Sequence, residues 1–206
     1  MENHFIISNS RKRTFILFIY FALSTVYVFT YYDNLRAEEE EKIPRVKLRS
    51  SCGNIADEAI VVKKYNFYDK FDNKTGDFVN DYELKVINGD KIVIDHATGL
   101  LWHQSGSKEC ISWEKTMEWI KNLNNTGYAG YSNWRLPTME EAASLLESSE
   151  MNNDLHIDQV FDKRQKWIWT GDSYGSDGKW LVNFSCGCIF WRNIGARYIR
   201  PVHSNQ

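Results

Sequence analysis

The sequence predicts an α+β domain, two helices packed on a small and mostly antiparallel sheet, carried behind one N-terminal transmembrane helix. Three observations carry that reading. An uncharged apolar run opens the chain, an Asn-Gly pair joins two β-branched segments, and two helical stripes each begin at a Ser or Thr cap.

The apolar run is Thr14 to Tyr32, long enough to cross most of a hydrocarbon core of about 30 Å. Arg11, Lys12 and Arg13 precede it, whereas Asp33 and Glu38 to Glu41 follow. Basic residues stay on the cytoplasmic side, so residues 1–13 read as a cytoplasmic tail and 14–32 as a membrane anchor. Everything later is expected in the periplasm or outside the cell. Val26 to Tyr32 is too bulky for a small-x-small cleavage site, which favours an uncleaved anchor over a signal peptide. Residues 33–51 are charged and poor in large apolar side chains, the composition of a stalk.

Residues 52–206 form the globular part, with all 8 Trp between Trp102 and Trp191. Its cysteines, Cys52, Cys110, Cys186 and Cys188, fall on the exported side, where two disulfides are the expected outcome. A bridge within Cys186-Gly187-Cys188 is expected to be strained, so Cys110 is assigned to Cys186 or Cys188 and Cys52 to the other. A metal site built from the close Cys pair with His103, His156 or His203 is the sharper alternative. It lacks both the C-x2-C and the His-x3-His spacing, and no metal or cofactor is predicted.

Ala59 to Val62 reads as a short strand in an otherwise irregular stretch. Tyr82–Ile87 and residues 91–94 then flank Asn88-Gly89-Asp90, the strongest local hairpin signal, and a turn at His96 to Gly99 leads into a third strand at Leu100–His103. The first helix is expected over 113–123 with Ser112 as its cap and Trp113, Met117, Ile120 and Leu123 as its core stripe. The second follows Pro137, with Thr138 and Glu141 as a capping box and Ala142, Leu145 and Leu146 facing inward. Strands are predicted at 167–170, 180–184, 188–191 and 197–202.

No nucleophile with a base, facing carboxylate pair, phosphate loop or metal spacing is present, which argues against an enzyme. Glu140 and Glu141 are adjacent and explained by capping. The charge distribution is more telling. No acidic residue follows Asp177, while Lys179, Arg192, Arg197 and Arg200 do. An anion-binding face on the last strands is therefore expected from Lys179, Arg192 and Arg197, with Trp191 and Tyr174 offering ring faces. Arg200, beside Pro201, is read as structural, as are Trp102, Trp134, Arg135 and Pro137.

Taken in order, Asp95-x-x-Thr98-Gly99-Leu100-x-Trp102, Ser112-Trp113, Gly130 to Thr138 (GYSNWRLPT) with Glu140-Glu141, Trp169-Thr170, Val182-x-Phe184 and Tyr198-x-Arg200-Pro201-Val202 make a pattern. It resembles the Lcl C-terminal domain family, named for the C-terminal domain of a bacterial collagen-like adhesin, over residues 91–204. The resemblance implies a C-type-lectin-like fold and an exported attachment role, with sulfated glycans as one ligand class. Cys110, Cys186 and Cys188 depart from the family pattern, and no collagen-like repeat precedes the domain.

The function expected from these readings is a membrane-anchored recognition module for glycans or anionic envelope polymers, with no nucleic-acid partner. The rival from another class is an architectural domain that docks to an envelope protein. A formylglycine-generating-type enzyme, related in fold to C-type lectins, would use a copper-binding cysteine pair, but the Arg-Gly-Gly-Ser-Trp text of that group is not found here.

Overall fold

A computed structural model describes residues 45–193 and 195–204. The predicted cytoplasmic tail, the membrane anchor and most of the stalk lie outside those residues. Among the described residues no helix is long and apolar enough to cross a membrane. The architecture is α+β with three antiparallel sheets and short helices.

The first sheet runs β1 (Tyr82–Ile87), β2 (Asp90–Asp95), β3 (Leu100–His103) and β9 (Val202–Ser204), in that spatial order. Its hairpin turns at Asn88 and Gly89, with φ of 53° and 90°, the paired positive values that a two-residue turn of matching twist requires. Asp95 closes the next turn by accepting from the Ala97 N–H at 3.0 Å and from the Thr98 hydroxyl. A two-stranded sheet joins β4 (Ile111–Ser112) to β8 (Ala196–Arg197), and the third sheet is β5 (Trp167–Tyr174), β6 (Gly178–Asn183) and β7 (Cys188–Arg192).

The main core lies between the first sheet and the inner face of the third. Val93, Leu100, Trp102 and Val202 meet Ile168, Trp180, Val182 and Ile189, with Met139, Leu145 and Phe184 between. A second cluster of Ile92, Leu101, Ala129 and Trp134 covers the opposite face, so β2 and β3 are buried on both sides. This is why Leu101 and Trp102 point oppositely and are both buried.

Several expectations need correction. Residues 58–65 form a helix, α1 (Glu58–Tyr65), not a strand: the Asp57 carboxylate accepts from the Ala59 N–H at 2.9 Å, and burial of Val61 and Val62 on one face outweighs their β preference. The helix α2 (Trp113–Thr126) is longer than predicted, and Met117 is 65% exposed while Thr116 is buried in its place. At about 100° per residue Met117 falls at the edge of the stripe, and Thr116 sits within it. The helix α3 (Met139–Ala143) has the predicted capping box, but its ladder tightens at Leu145, whose N–H bonds Ala142 rather than Glu141. The strand expected over 197–202 is broken into β8 and β9 with an irregular thread between them, where Pro201 has no N–H to give.

The end of the predicted stalk is part of the folded unit. Leu48 is buried in the main core, the Val46 N–H bonds the Ala97 carbonyl at 2.7 Å, and Arg49 is engaged below. The disulfide expectation is also overturned. Cys186 is bonded to Cys188 across the β6–β7 turn, with Cα atoms 5.4 Å apart, while Cys52 and Cys110 are free. The hairpin turn sets the two Cα atoms within disulfide range despite a sequence separation of two.

Candidate functional site

Strand alternation decides which predicted ligand residues can act together. In the β5–β6–β7 register, Ser173, Lys179 and Arg192 form one cross-strand row, and Trp169, Leu181 and Phe190 form the next. These side chains share the outer face, whereas Trp180 and Trp191 form a row on the inner face.

Each cation of the outer face lies over an aromatic ring. The Lys179 Nζ sits 4.7 Å from the Trp113 ring centre, Arg192 lies 4.5 Å over Phe190, and Arg197 reaches Trp167 at 4.8 Å and Trp169 at 5.6 Å. The rings touch in turn, Trp113 against Trp169 at 5.6 Å and Trp167 against Phe190 at 5.8 Å, both edge to face. The result is one continuous patch that begins at Lys179 and returns to it through Arg192. Among the described residues no carboxylate forms an ion pair with Lys179, Arg192 or Arg197. Their bonds are neutral: Lys179 to the Ser173 hydroxyl at 2.6 Å, Arg192 to the Trp191 carbonyl at 3.0 Å and Arg197 to the Ala196 carbonyl at 2.7 Å. Gly195 clears the way for Arg197, since a Cβ there would come 2.9 Å from the guanidinium. Weakly solvated cations on rings, with donors to spare, suit sulfate or carboxylate groups.

Tyr174 and Trp191, predicted as ring faces beside these cations, lie elsewhere. They stack on each other at 4.5 Å, and Tyr174 meets the core residue Trp180 edge to face at 5.5 Å. Trp191 remains 39% exposed but on the inner side. The residues that sequence reasoning missed are Trp113, Trp167, Trp169 and Phe190. The period-two spacing of Trp167 with Trp169 and of Phe190 with Arg192 was the signal that could have found them.

The other predicted residues are scaffold in their contacts. Trp134 is buried, its indole N–H donating to the Tyr128 carbonyl at 3.1 Å. Arg135 forks onto Glu141 at 2.7 and 2.6 Å, and the same carboxylate accepts from the Thr138 N–H at 2.8 Å to complete the capping box. The Pro137 carbonyl takes the Gly171 N–H at 2.8 Å, tying this loop to β5. Arg200 is fully buried and donates to the carbonyls of His103, Gln104 and Asp162 and to Gln165 Oε1. Cys186 and Cys188, bonded to each other, offer no thiolate to a metal.

The buried signature residues Asp95, Trp102, Trp134, Arg200 and the Thr138–Glu141 box thus specify the scaffold, and the three ring-seated cations fall outside them. Comparison with curated proteins gives no match. The family model of the Lcl C-terminal domain matches residues 91–203, more than half of the chain. The span from β2 to β9 that holds both the scaffold residues and the basic face is that domain, and the chain belongs to the Lcl C-terminal domain family.

Proposed function

We propose that the chain is a membrane-anchored, exported recognition module that binds sulfated or acidic glycans, or similar anionic polymers, without catalysing a reaction. The observation that carries this reading is the outer face of β5–β6–β7, where Lys179, Arg192 and Arg197 each lie over a ring and none is neutralised by a carboxylate among the described residues. A polymer of regularly spaced anions can exchange its water for Arg forks there, while the Trp167 and Phe190 rings beneath hold the guanidiniums in place. The C-type-lectin-like architecture implied by the family accords with short antiparallel sheets and helices. Anchoring through residues 14–32 accords with their flanking charges.

The test is binding of dextran sulfate and of uncharged dextran to the full chain in detergent, at low and high salt. Dextran sulfate is expected to bind, with affinity falling steeply as salt rises, and dextran is not. Arg192→Ala with Arg197→Ala should lose about 2 kcal/mol of binding, close to thirtyfold. Unchanged binding in a variant that melts at the wild-type temperature would remove the reading. Docking to an envelope protein is the second reading, favoured by exposed Leu84 and Val86 on the edge strand β1.

A further inference from the structure

A second cleft shares no residue with the basic face. It encloses about 580 Å³ and is framed by His103 at the end of β3, the 105–111 loop, Trp119 of α2, Tyr128 and Arg164. His103 is only 6% exposed and stacks flat on Tyr128, with ring centres 4.0 Å apart.

One contact fixes the protonation of that ring. The Gly106 N–H donates to His103 Nδ1 at 2.9 Å. A neutral imidazole accepts at one nitrogen and carries its proton on the other, so the proton resides on Nε2. Burial, reinforced by the nearby Arg200, depresses His103 to about 3, which keeps the ring neutral. Among the described residues nothing accepts from Nε2, although the ring is more than nine-tenths buried and lines the cleft.

The neighbouring groups narrow the chemistry. The Trp119 ring stands 6.4 Å from His103 at 48°, giving the cleft an apolar corner beside the imidazole donor, with Ile111 as further apolar wall. The Tyr128 hydroxyl is committed to Lys91 and the Ser107 hydroxyl to Glu109 and Ile199. For a carboxylate ligand the cleft offers only the exposed ammonium of Lys108, next to Glu109 on the same wall, because Arg164 is already forked onto Asp162 at 2.9 and 2.8 Å. A sugar hydroxyl can accept from Nε2–H too, but its own proton then needs a second acceptor and it brings no apolar group to the Trp119 corner. A neutral acceptor joined to a small apolar group fits better.

We propose that this cleft binds the acetamido group of an N-acetylated sugar, its carbonyl oxygen accepting from His103 Nε2–H and its methyl group resting on the Trp119 indole. This deepens the glycan reading above and rests on it, but at a separate place. The test uses the full chain in detergent, labelled with ¹⁵N in histidine, and two neutral probes: a trisaccharide of N-acetylglucosamine and the matching trisaccharide of glucose. The acetylated probe should shift the His103 Nε2–H resonance and the glucose probe should leave it in place. His103→Phe should weaken binding of the acetylated probe about tenfold, the value of one buried hydrogen bond. Trp119→Phe should weaken it less, because the ring face is kept. Should His103→Phe fail to fold, the wild-type resonance decides alone. No shift with the acetylated probe, or equal shifts with both, overturns the assignment. Dextran sulfate binding measured on the same preparation separates the two sites: if it persists while the acetylated probe fails, the cleft falls and the basic face stands. If Arg192→Ala with Arg197→Ala abolishes it and the acetylated probe still binds, the cleft holds independently.

Discussion

Arg49 lays its two terminal nitrogens on the Asp172 carboxylate, at 2.9 and 2.7 Å. Asp172 is fully buried and also accepts from the backbone N–H groups of Gly53 and Met139, both at 2.6 Å. One carboxylate therefore joins the entry segment, β5 and the start of α3. Arg49→Ala leaves that charge buried with only its two amide donors, and a loss of about 3 kcal/mol in unfolding free energy is expected from denaturant titration. Arg49→Lys should recover part of it, since a single ammonium cannot reproduce the fork.

Arg200 makes four hydrogen bonds from a fully buried site and lies 4.7 Å over the Phe161 ring. Its removal would take a donor from three carbonyl oxygens, of which Gln104 keeps the Asp162 N–H at 3.2 Å, and would open a void. Arg200→Ala should destabilise by about 4 kcal/mol while dextran sulfate affinity, measured below the lowered melting point, stays at the wild-type value.

The Cys186–Cys188 bridge encloses a single residue, so in the chain-entropy picture it stabilises by only about 1.5 kcal/mol, against about 4.5 for a bridge closing the long loop from Cys110. Two thiols, not none and not four, should titrate in denaturant without reductant. In the folded chain Cys110 should react with maleimide first. Cys52 is exposed as a residue, but its sulfur packs against Gly171, and burial, with Asp172 adding to it, pushes its thiol up to about 11.

His103 gives the fold an acid-sensitive element. Its pKa is depressed from about 6.5 in the unfolded chain to about 3 in the folded one, so the unfolded chain binds the extra proton as the pH falls. Stability from this group is complete above about pH 6.5 and should fall by about 2 kcal/mol between pH 7 and pH 5. His203, also lowered by burial, acts in the same direction. Asp95 and Glu147, raised by burial, oppose it at the lower end of the range. Denaturant titrations at the two pH values, on wild type and His103→Gln, should show the slope reduced in the variant.

The sequence disclosed what local chemistry controls. Asn88-Gly89 demands a tight turn wherever it sits, and Thr138 with Glu141 caps a helix without help from the rest of the chain. It failed where tertiary packing overrides local preference: β-branched Val61 and Val62 lie in a helix because one side of that helix meets the core. The candidate face was half legible. Reading the last strands as a basic segment found Lys179, Arg192 and Arg197, but proximity in sequence set Trp191 beside Arg192, and a pleated strand puts neighbours on opposite faces. Trp113 was assigned to the core by its helical stripe, yet Lys179 reaches its ring from another element, a contact that no periodicity encodes.

Strand β5 carries both Asp172, which holds the entry segment, and Trp167 and Trp169, which seat Arg197. The entry segment is further stitched to the same strand by the Gly53 carbonyl, which takes the Ser173 N–H at 2.9 Å, and by the Ile55 N–H, which bonds the Ser173 carbonyl at 2.8 Å. Tension drawn between residue 45 and a polymer held on the outer face would therefore load the Val46–Ala97 hydrogen bond and buried Leu48 first, and then pass through Arg49 and Asp172 into β5. Once Val46 and Leu48 give way, the Asp172 junction is the next to carry the load, while the outer face keeps its grip on the polymer.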